Sequence, residues 1–223
     1  MPAIPDYLTK TYWWAYVHPG AVYLFERQWL VNLILWGNFA RLREAALDAL
    51  GHGLEGQTLQ IACVYGDLTA RLAARHSPNA RLDVVDVLAI QLKNLAAKLP
   101  NANGMTLIRG DSAKLPCEDA HYDRALVFFL LHEQPENVRR QTLAEALRVL
   151  RPGGQLIIVD YHRPRALHPL FLPMAAILGT LEPFALDLWR HEISHWLPAG
   201  RCVTAITKRI FFGGLYQLVK VTV

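Results

Sequence analysis

Cysteine is scarce in this sequence: Cys63, Cys117 and Cys202 are the only three in 223 residues. They form no CxxC pair and an odd number cannot all be bridged, so a disulfide scaffold is excluded and a reducing compartment is expected. Charge is also sparse, 19% of residues against 52% hydrophobic, which excludes a disordered, solvated chain. Yet no stretch of about eighteen apolar residues runs unbroken, so no spanning helix is expected. The N-terminal stretch carries Asp6 where a secretory signal needs positive charge, and Pro2 and Pro5 interrupt it, so it does not read as a leader. An excess of 23 basic over 19 acidic residues, net +4, is compatible with anionic lipid but too mild to call for a nucleic-acid partner, and none is expected.

What is present divides into three parts. Residues 1–56 are helical in pattern and rich in aromatics, and are expected to form a lid or membrane-contacting segment. Residues 57–161 alternate short β-rich runs with helical ones. An apolar, proline-broken insert of about 163–197 and a terminal strand pair complete a second region, 57–223. The runs are Thr58–Cys63, Arg81–Asp86, Met105–Arg109, Arg124–Leu130 (apolar on both faces) and Gln155–Asp160. Strands alternating with helices predict βαβ crossovers and a parallel sheet. Arg151-Pro152-Gly153-Gly154 predicts a helix stop. Val203–Phe212, Gly213-Gly214 and Leu215–Val223 predict an antiparallel hairpin at one edge. The expected fold is therefore α/β, a doubly wound, mostly parallel seven-stranded sheet with a terminal hairpin.

Ligands of open α/β sheets bind at the carboxyl ends of the strands. Asp86 ends the second run, suited to two vicinal ribose hydroxyls. Asp111 and Ser112 follow the third, where they suit an adenine edge. His132 and Glu133 follow the fourth, and Asp160, Tyr161 and His162 follow the fifth. A single strand-end Asp is more often a turn former than a ligand; polar groups at several consecutive strand ends weaken that explanation.

These strand-end acids, the Arg148–Gly154 segment, Leu115–Asp123 and the terminal hairpin resemble class I S-adenosylmethionine-dependent methyltransferases over roughly residues 57–161 and the tail. The resemblance implies a Rossmann-like fold and S-adenosylmethionine, with Ala62, Val64, Tyr65, Gly66, Asp86, Val87, Asp111 and Ser112 as cofactor-binding positions. The first loop departs from that family. Gln60 stands where an acid is usual, and Ala62 and Val64 replace two of the three glycines. The adenosine half of the site is kept and the amino-acid half rebuilt.

The segments Tyr12–Pro19, Ala62–Thr69, Phe129–Pro135, Val159–Pro164 and Phe212–Gln217 resemble the methyltransferase-like family of rhodoquinone biosynthesis. That resemblance implies conversion of ubiquinone to rhodoquinone, a ring methoxy giving way to an amino group, with S-adenosylmethionine as amino donor and manganese assisting. Loss of the acid at Gln60 disfavours the ammonium form of the donor, and Val64 and Tyr65 are expected to turn its nitrogen toward the quinone. The candidate catalytic residues are Tyr65, His132, Glu133 and His162. Manganese takes oxygen and imidazole ligands, so His132, Glu133, Asp160 and His162 are its candidate ligands.

Ubiquinone lies in the bilayer. The uncharged aromatic run with Tyr12, Trp13, Trp14, Tyr16, Tyr23 and Phe25, the Trp29–Trp36 run and the uncharged Ala166–Leu181 suit either a lid or an anionic membrane surface, with Arg27, Arg163 and Arg165 meeting phosphates. A cytoplasmic protein at the inner membrane face is expected. His191-Glu192-Ile193-Ser194-His195 spells a zinc-protease motif, but residues 196–223 contain no His, Asp or Glu to complete a centre, and the motif is refused. Two rival readings stay open: an ordinary methyltransferase acting on a quinone or lipid, and a non-catalytic cofactor-binding scaffold.

Overall fold

The computed structural model describes residues 3–13, 19–99, 104–200 and 203–223. Among the described residues four α-helices come first: α1 (Asp6–Thr11), α2 (Pro19–Phe25), α3 (Gln28–Ile34) and α4 (Phe39–Leu50). There follow β1 (Gln57–Ile61), α5 (Leu68–Ala74), β2 (Arg81–Asp86), α6 (Ala89–Lys98), β3 (Met105–Arg109), β4 (Tyr122–Phe128), α7 (Glu136–Arg148) and β5 (Leu150–Tyr161). The insert forms α8 (Phe171–Leu181) and α9 (Asp187–Arg190), and β6 (Ala205–Phe211) and β7 (Tyr216–Thr222) close the chain.

The seven strands lie in the order β3-β2-β1-β4-β5-β7-β6. β1 to β5 pair in parallel, and β7 is antiparallel to both β5 and β6. The doubly wound sheet and its edge hairpin are therefore as the periodicity predicts. Chain order reverses between β1 and β4, and right-handed crossovers then carry α5 and α6 to one face and α7 to the other. That reversal opens a crevice at the carboxyl ends of β1 and β4. Ala125, Leu126, Val127 and Phe128 of β4 and Leu156 to Val159 of β5 are buried, so these strands read as continuous apolar runs.

Two expectations need correction. Arg151-Pro152-Gly153-Gly154 does not stop a helix: α7 ends at Arg148, and these residues form an irregular opening of β5, where the register against β4 shifts. Pro152 has no N–H to lose from a ladder there, and Gly153 supplies φ +81°. Second, α4 lies within residues 1–56 but buries Leu42, Ala46, Leu47 and Leu50 in the main core against β5 and β7, so the aromatic cover ends before it.

Candidate cofactor and substrate cavity

The loop after β1 keeps a left-handed turn without its glycine. Ala62 has φ +73°, a conformation that costs an L-residue about 1–2 kcal/mol. Gln60, fully buried, secures it: its side-chain amide donates to the Ala62 carbonyl at 3.0 Å and accepts from the Thr69 hydroxyl at 3.0 Å. An acid there could not donate to that carbonyl, so the Gln and the Ala belong together. Gly66 has φ +83°, and a Cβ would stand 3.0 Å from the Phe39 ring. Its N–H donates to Glu26, whose carboxylate also takes Lys98 at 2.7 Å and Asn94 at 2.6 Å. Tyr65 accepts from the Gln91 side chain at 2.7 Å and stacks on Phe25 with ring centroids 5.9 Å apart. The segment after α2 is thus fastened to the loop.

At the end of β2, Asp86 is only 8% exposed. Its carboxylate accepts the Cys63 and Leu88 N–H groups, each at 2.8 Å, leaving further lone pairs for a ligand. Burial pushes its carboxyl up to about 6, partly opposed by those two bonds. Val87, Gly110, Asp111 and Ser112 extend the same wall. Asp111 accepts the Ala113 N–H at 2.9 Å, and Ser112 is held by Thr142 and Gln134 at 3.0 Å each.

At the end of β4, Phe129 has φ +53°, a second strained non-glycine residue at the crevice. The tight turn Leu131–Glu133 follows. His132 Nδ1 lies 2.9 Å from Asp160 Oδ1, while Asp160 Oδ2 accepts the Leu131 N–H at 2.9 Å. His132 Nε2 stands 3.7 Å from Glu133 Oε1. Burial alone would lower the imidazole, but the charge and hydrogen bond of Asp160 outweigh it and raise it to about 9. His132 is therefore an imidazolium among carboxylates. Arg139, fully buried, braces the turn by donating to the carbonyls of Leu131, Gln134 and Phe184, each at 2.9 Å, with its guanidinium 4.5 Å from the Trp196 ring centroid.

The sequence missed Glu182. It sits just past α8, lines the cavity beside His132 and Tyr12, and burial raises its carboxyl above the ordinary value. Its signal was legible: Glu182 is the first charged residue after the uncharged run Ala166–Leu181.

Of the predicted site, Ala62, Val64, Tyr65, Asp86, Val87, Asp111, Ser112, His132 and Glu133 line one cavity, with Gly66 in the adjoining loop and Asp160 buried behind His132. His162 does not join them, which corrects the expectation. Successive residues of a strand point to opposite sides, and Tyr161 takes the cavity side. His162 bonds the Gly214 carbonyl at 2.8 Å and Lys208 at 2.8 Å, within a separate pocket of about 320 Å³. Among the described residues no three His, Cys, Asp or Glu side chains are gathered as metal ligands. With one imidazole nitrogen on Asp160 and His162 elsewhere, the residues present do not fit the expected manganese ion. His191 and His195 stack with ring centroids 4.3 Å apart around a short 3-10 turn, and Glu192 pairs with Lys208 at 2.5 Å, so the zinc-protease motif is refused on geometry too.

The cavity encloses about 670 Å³, within the range of small-molecule sites. Its floor carries Asp86, Asp111, Glu133, Glu182 and His132; among the described residues no Lys or Arg lines it. Its far end is apolar, between α3 (Leu30, Val31, Leu33, Ile34) and α8 (Met174, Ile177, Leu178, Leu181). Of this lining Leu33, Trp36 and Leu181 are also exposed, and Trp13, Tyr23, Trp29 and Leu172 are exposed as well. Tyr12, in the aromatic run that suits either a lid or a membrane surface, is fully buried, while Trp14 and Tyr16 lie outside the described residues. Among the described residues no helix is long and apolar enough to cross a membrane.

This architecture is the fold of the class I S-adenosylmethionine-dependent methyltransferases. Residues 58–154 match a family described as a methyltransferase domain. An S-adenosylmethionine-dependent methyltransferase from Aquifex aeolicus superposes with TM-score 0.58 at 16% identity, covering 92% of this chain and 98% of that one. The N-methyltransferase NodS from Bradyrhizobium japonicum, solved with S-adenosyl-L-homocysteine, gives 0.57 at 15% identity over 82% of this chain and 84% of that one. In sequence, the ubiquinone/menaquinone biosynthesis C-methyltransferase UbiE of Pseudomonas savastanoi is 29% identical over 139 residues, 60% of this chain. The chain spans about half the length of the curated relatives it matches, 54% in that case.

Proposed function

We propose that this protein uses S-adenosylmethionine to modify a ubiquinone-type quinone, replacing a ring methoxy group by the donor's amine to give rhodoquinone. The observation that carries the reading is the single cavity joining a nucleoside-type floor to an apolar gallery between α3 and α8. Asp86 suits the ribose hydroxyls, Asp111 and Ser112 the adenine edge, and the gallery suits a prenylated ring. S-adenosylmethionine supplies the amine when bound; the chain's part is to hold it, take up its proton and exclude water. His132, held by Asp160, is placed to protonate an oxygen of the ring or of the departing methoxy group. The exposed apolar side chains of α3 and α8, with Arg27, Arg163 and Arg165 nearby in sequence, support substrate uptake at an anionic membrane surface.

The likeness to quinone C-methyltransferases favours a second reading, methyl transfer to the same class of ring. One experiment separates the two. Purified protein is incubated with short-chain ubiquinone and S-adenosylmethionine carrying nitrogen-15 at the amine and carbon-13 at the methyl, with and without manganous ion. Nitrogen-15 in the quinone product supports amination, carbon-13 supports methyl transfer, and neither label in the product refutes both.

A further inference from the structure

Resting on the reading of the cavity as a quinone site, we propose that the Tyr161 hydroxyl is the hydrogen-bond donor that holds one carbonyl oxygen of the acceptor ring. A quinone ring carries two carbonyl oxygens and no donor of its own, so the protein must supply the donors. The ionised carboxylates of the cavity floor accept and cannot donate. The side-chain donors that the ends of β4 and β5 bring to the cavity are His132 and Tyr161. Tyr161, the last residue of β5, is only 6% exposed, and among the described residues its hydroxyl has no hydrogen-bond partner. A buried phenol ordinarily finds one, and leaving it without costs about 1–3 kcal/mol. A ligand oxygen in the cavity removes that cost. Burial raises the phenol's ionisation well above the ordinary value, so it keeps the proton that it donates.

The surroundings hold this ring in one place. Tyr161 packs edge-on against Phe129 and His132, with ring centroids 5.3 and 4.9 Å away, and lies tilted against Tyr216 at 5.7 Å. Its backbone is equally fixed. The Tyr161 N–H donates to Asp160 Oδ1 at 2.8 Å, and its carbonyl accepts the fully buried Gln217 side chain at 2.8 Å. Asp160 thus fastens both donors, His132 through its imidazole and Tyr161 through its N–H. Phe129 reaches the same corner with a left-handed φ of +53°, a strain that the packing around it must maintain. The corner is walled by aromatic rings, which suits a flat conjugated ligand. A donor held on a strand end by packing and backbone bonds loses little freedom when it binds, as a positioning group should.

The test is isotope-edited infrared spectroscopy of the full chain with a short-chain ubiquinone carrying carbon-13 at one ring carbonyl or the other. S-adenosylhomocysteine is present so that no reaction runs, and bound quinone is measured by equilibrium dialysis. In the wild type one carbonyl stretch should lie below its frequency in an apolar solvent, because a hydrogen bond weakens the C=O bond. In Tyr161→Phe that band should return toward the apolar-solvent frequency while the other stays in place. Affinity should fall about twofold to tenfold, the net worth of one such bond. A ring-fluorinated tyrosine at the same position, nearly equal in size and a stronger donor, should move the band further down, and it carries the test if the Phe variant fails to fold. Unchanged bands in either variant, both bands moving together, or two wild-type carbonyls at the apolar-solvent frequency overturn the assignment and leave quinone binding standing. A wild type that takes up no quinone overturns the quinone reading itself, and the assignment with it.

Discussion

Asp86 offers a test of the cofactor site that needs no turnover. Its buried carboxylate should accept two ribose hydroxyls, and replacing it with Asn removes both the charge and one acceptor. At roughly 1.5–3 kcal/mol for each hydrogen bond to a charged group, Asp86→Asn should lose about 3 kcal/mol, or about 150-fold in affinity. The raised carboxyl adds a pH signature. It ionises near 6 rather than at 3.8, and only the ionised form accepts both hydroxyls. The affinity of wild type for 5′-methylthioadenosine, which has neither amine nor carboxylate, should therefore fall about tenfold between pH 7.5 and pH 5. In Asp86→Asn it should be low and flat across that interval. The sign for folding runs the other way. An acid raised from 3.8 to about 6 in the fold favours the native state at low pH, and this support, about 3 kcal/mol, is lost as pH rises through 6. Ligand-free Asp86→Asn should lack that loss in denaturant titrations. A wild-type affinity independent of pH down to 5, or an Asn variant that binds normally, would refute the assignment.

Other groups respond in their own ways. His132, raised to about 9, contributes stability that is complete below its ordinary 6.5 and lost as pH rises through 9; in Asp160→Asn its titration, followed by proton NMR, should drop toward or below 6.5. Arg139→Met should cost about 3–5 kcal/mol in chemical denaturation, because three buried carbonyls lose their donor, and Arg139→Lys should recover little, lacking the planar fork. Ala62→Gly should be nearly neutral in thermal melts, the relieved left-handed strain offsetting the added chain entropy, whereas Ala62→Val should destabilise by more than about 1 kcal/mol. Gly66→Ala should cost about 1–3 kcal/mol, since its φ of +83° and the Phe39 ring both oppose a Cβ; an unaffected melt would contradict the loop geometry.

Much of this was legible in one dimension. The apolar runs of β1 to β5 and the Gly213-Gly214 hairpin follow from local periodicity and turn chemistry, so sheet and crevice could be anticipated. Asp86, Asp111, Ser112 and His132 were legible because residues at strand ends share one rim whatever the loops do. The substitution at Gln60 was visible, but not its purpose: a donor to the Ala62 carbonyl exists only once the loop has turned back on the strand.

The chain's linear order thus determined the fold and which strand ends would carry polar groups, because both depend on patterns a few residues long. Only the tertiary structure decided who shares the cavity. It turned His162 away through the pleat of β5, buried Tyr12, and brought Glu182 across from the insert to stand near His132, some fifty residues earlier in the chain. Contacts of that kind depend on how an apolar helix seats against a formed sheet, and no spacing within the sequence encodes where its end will fall.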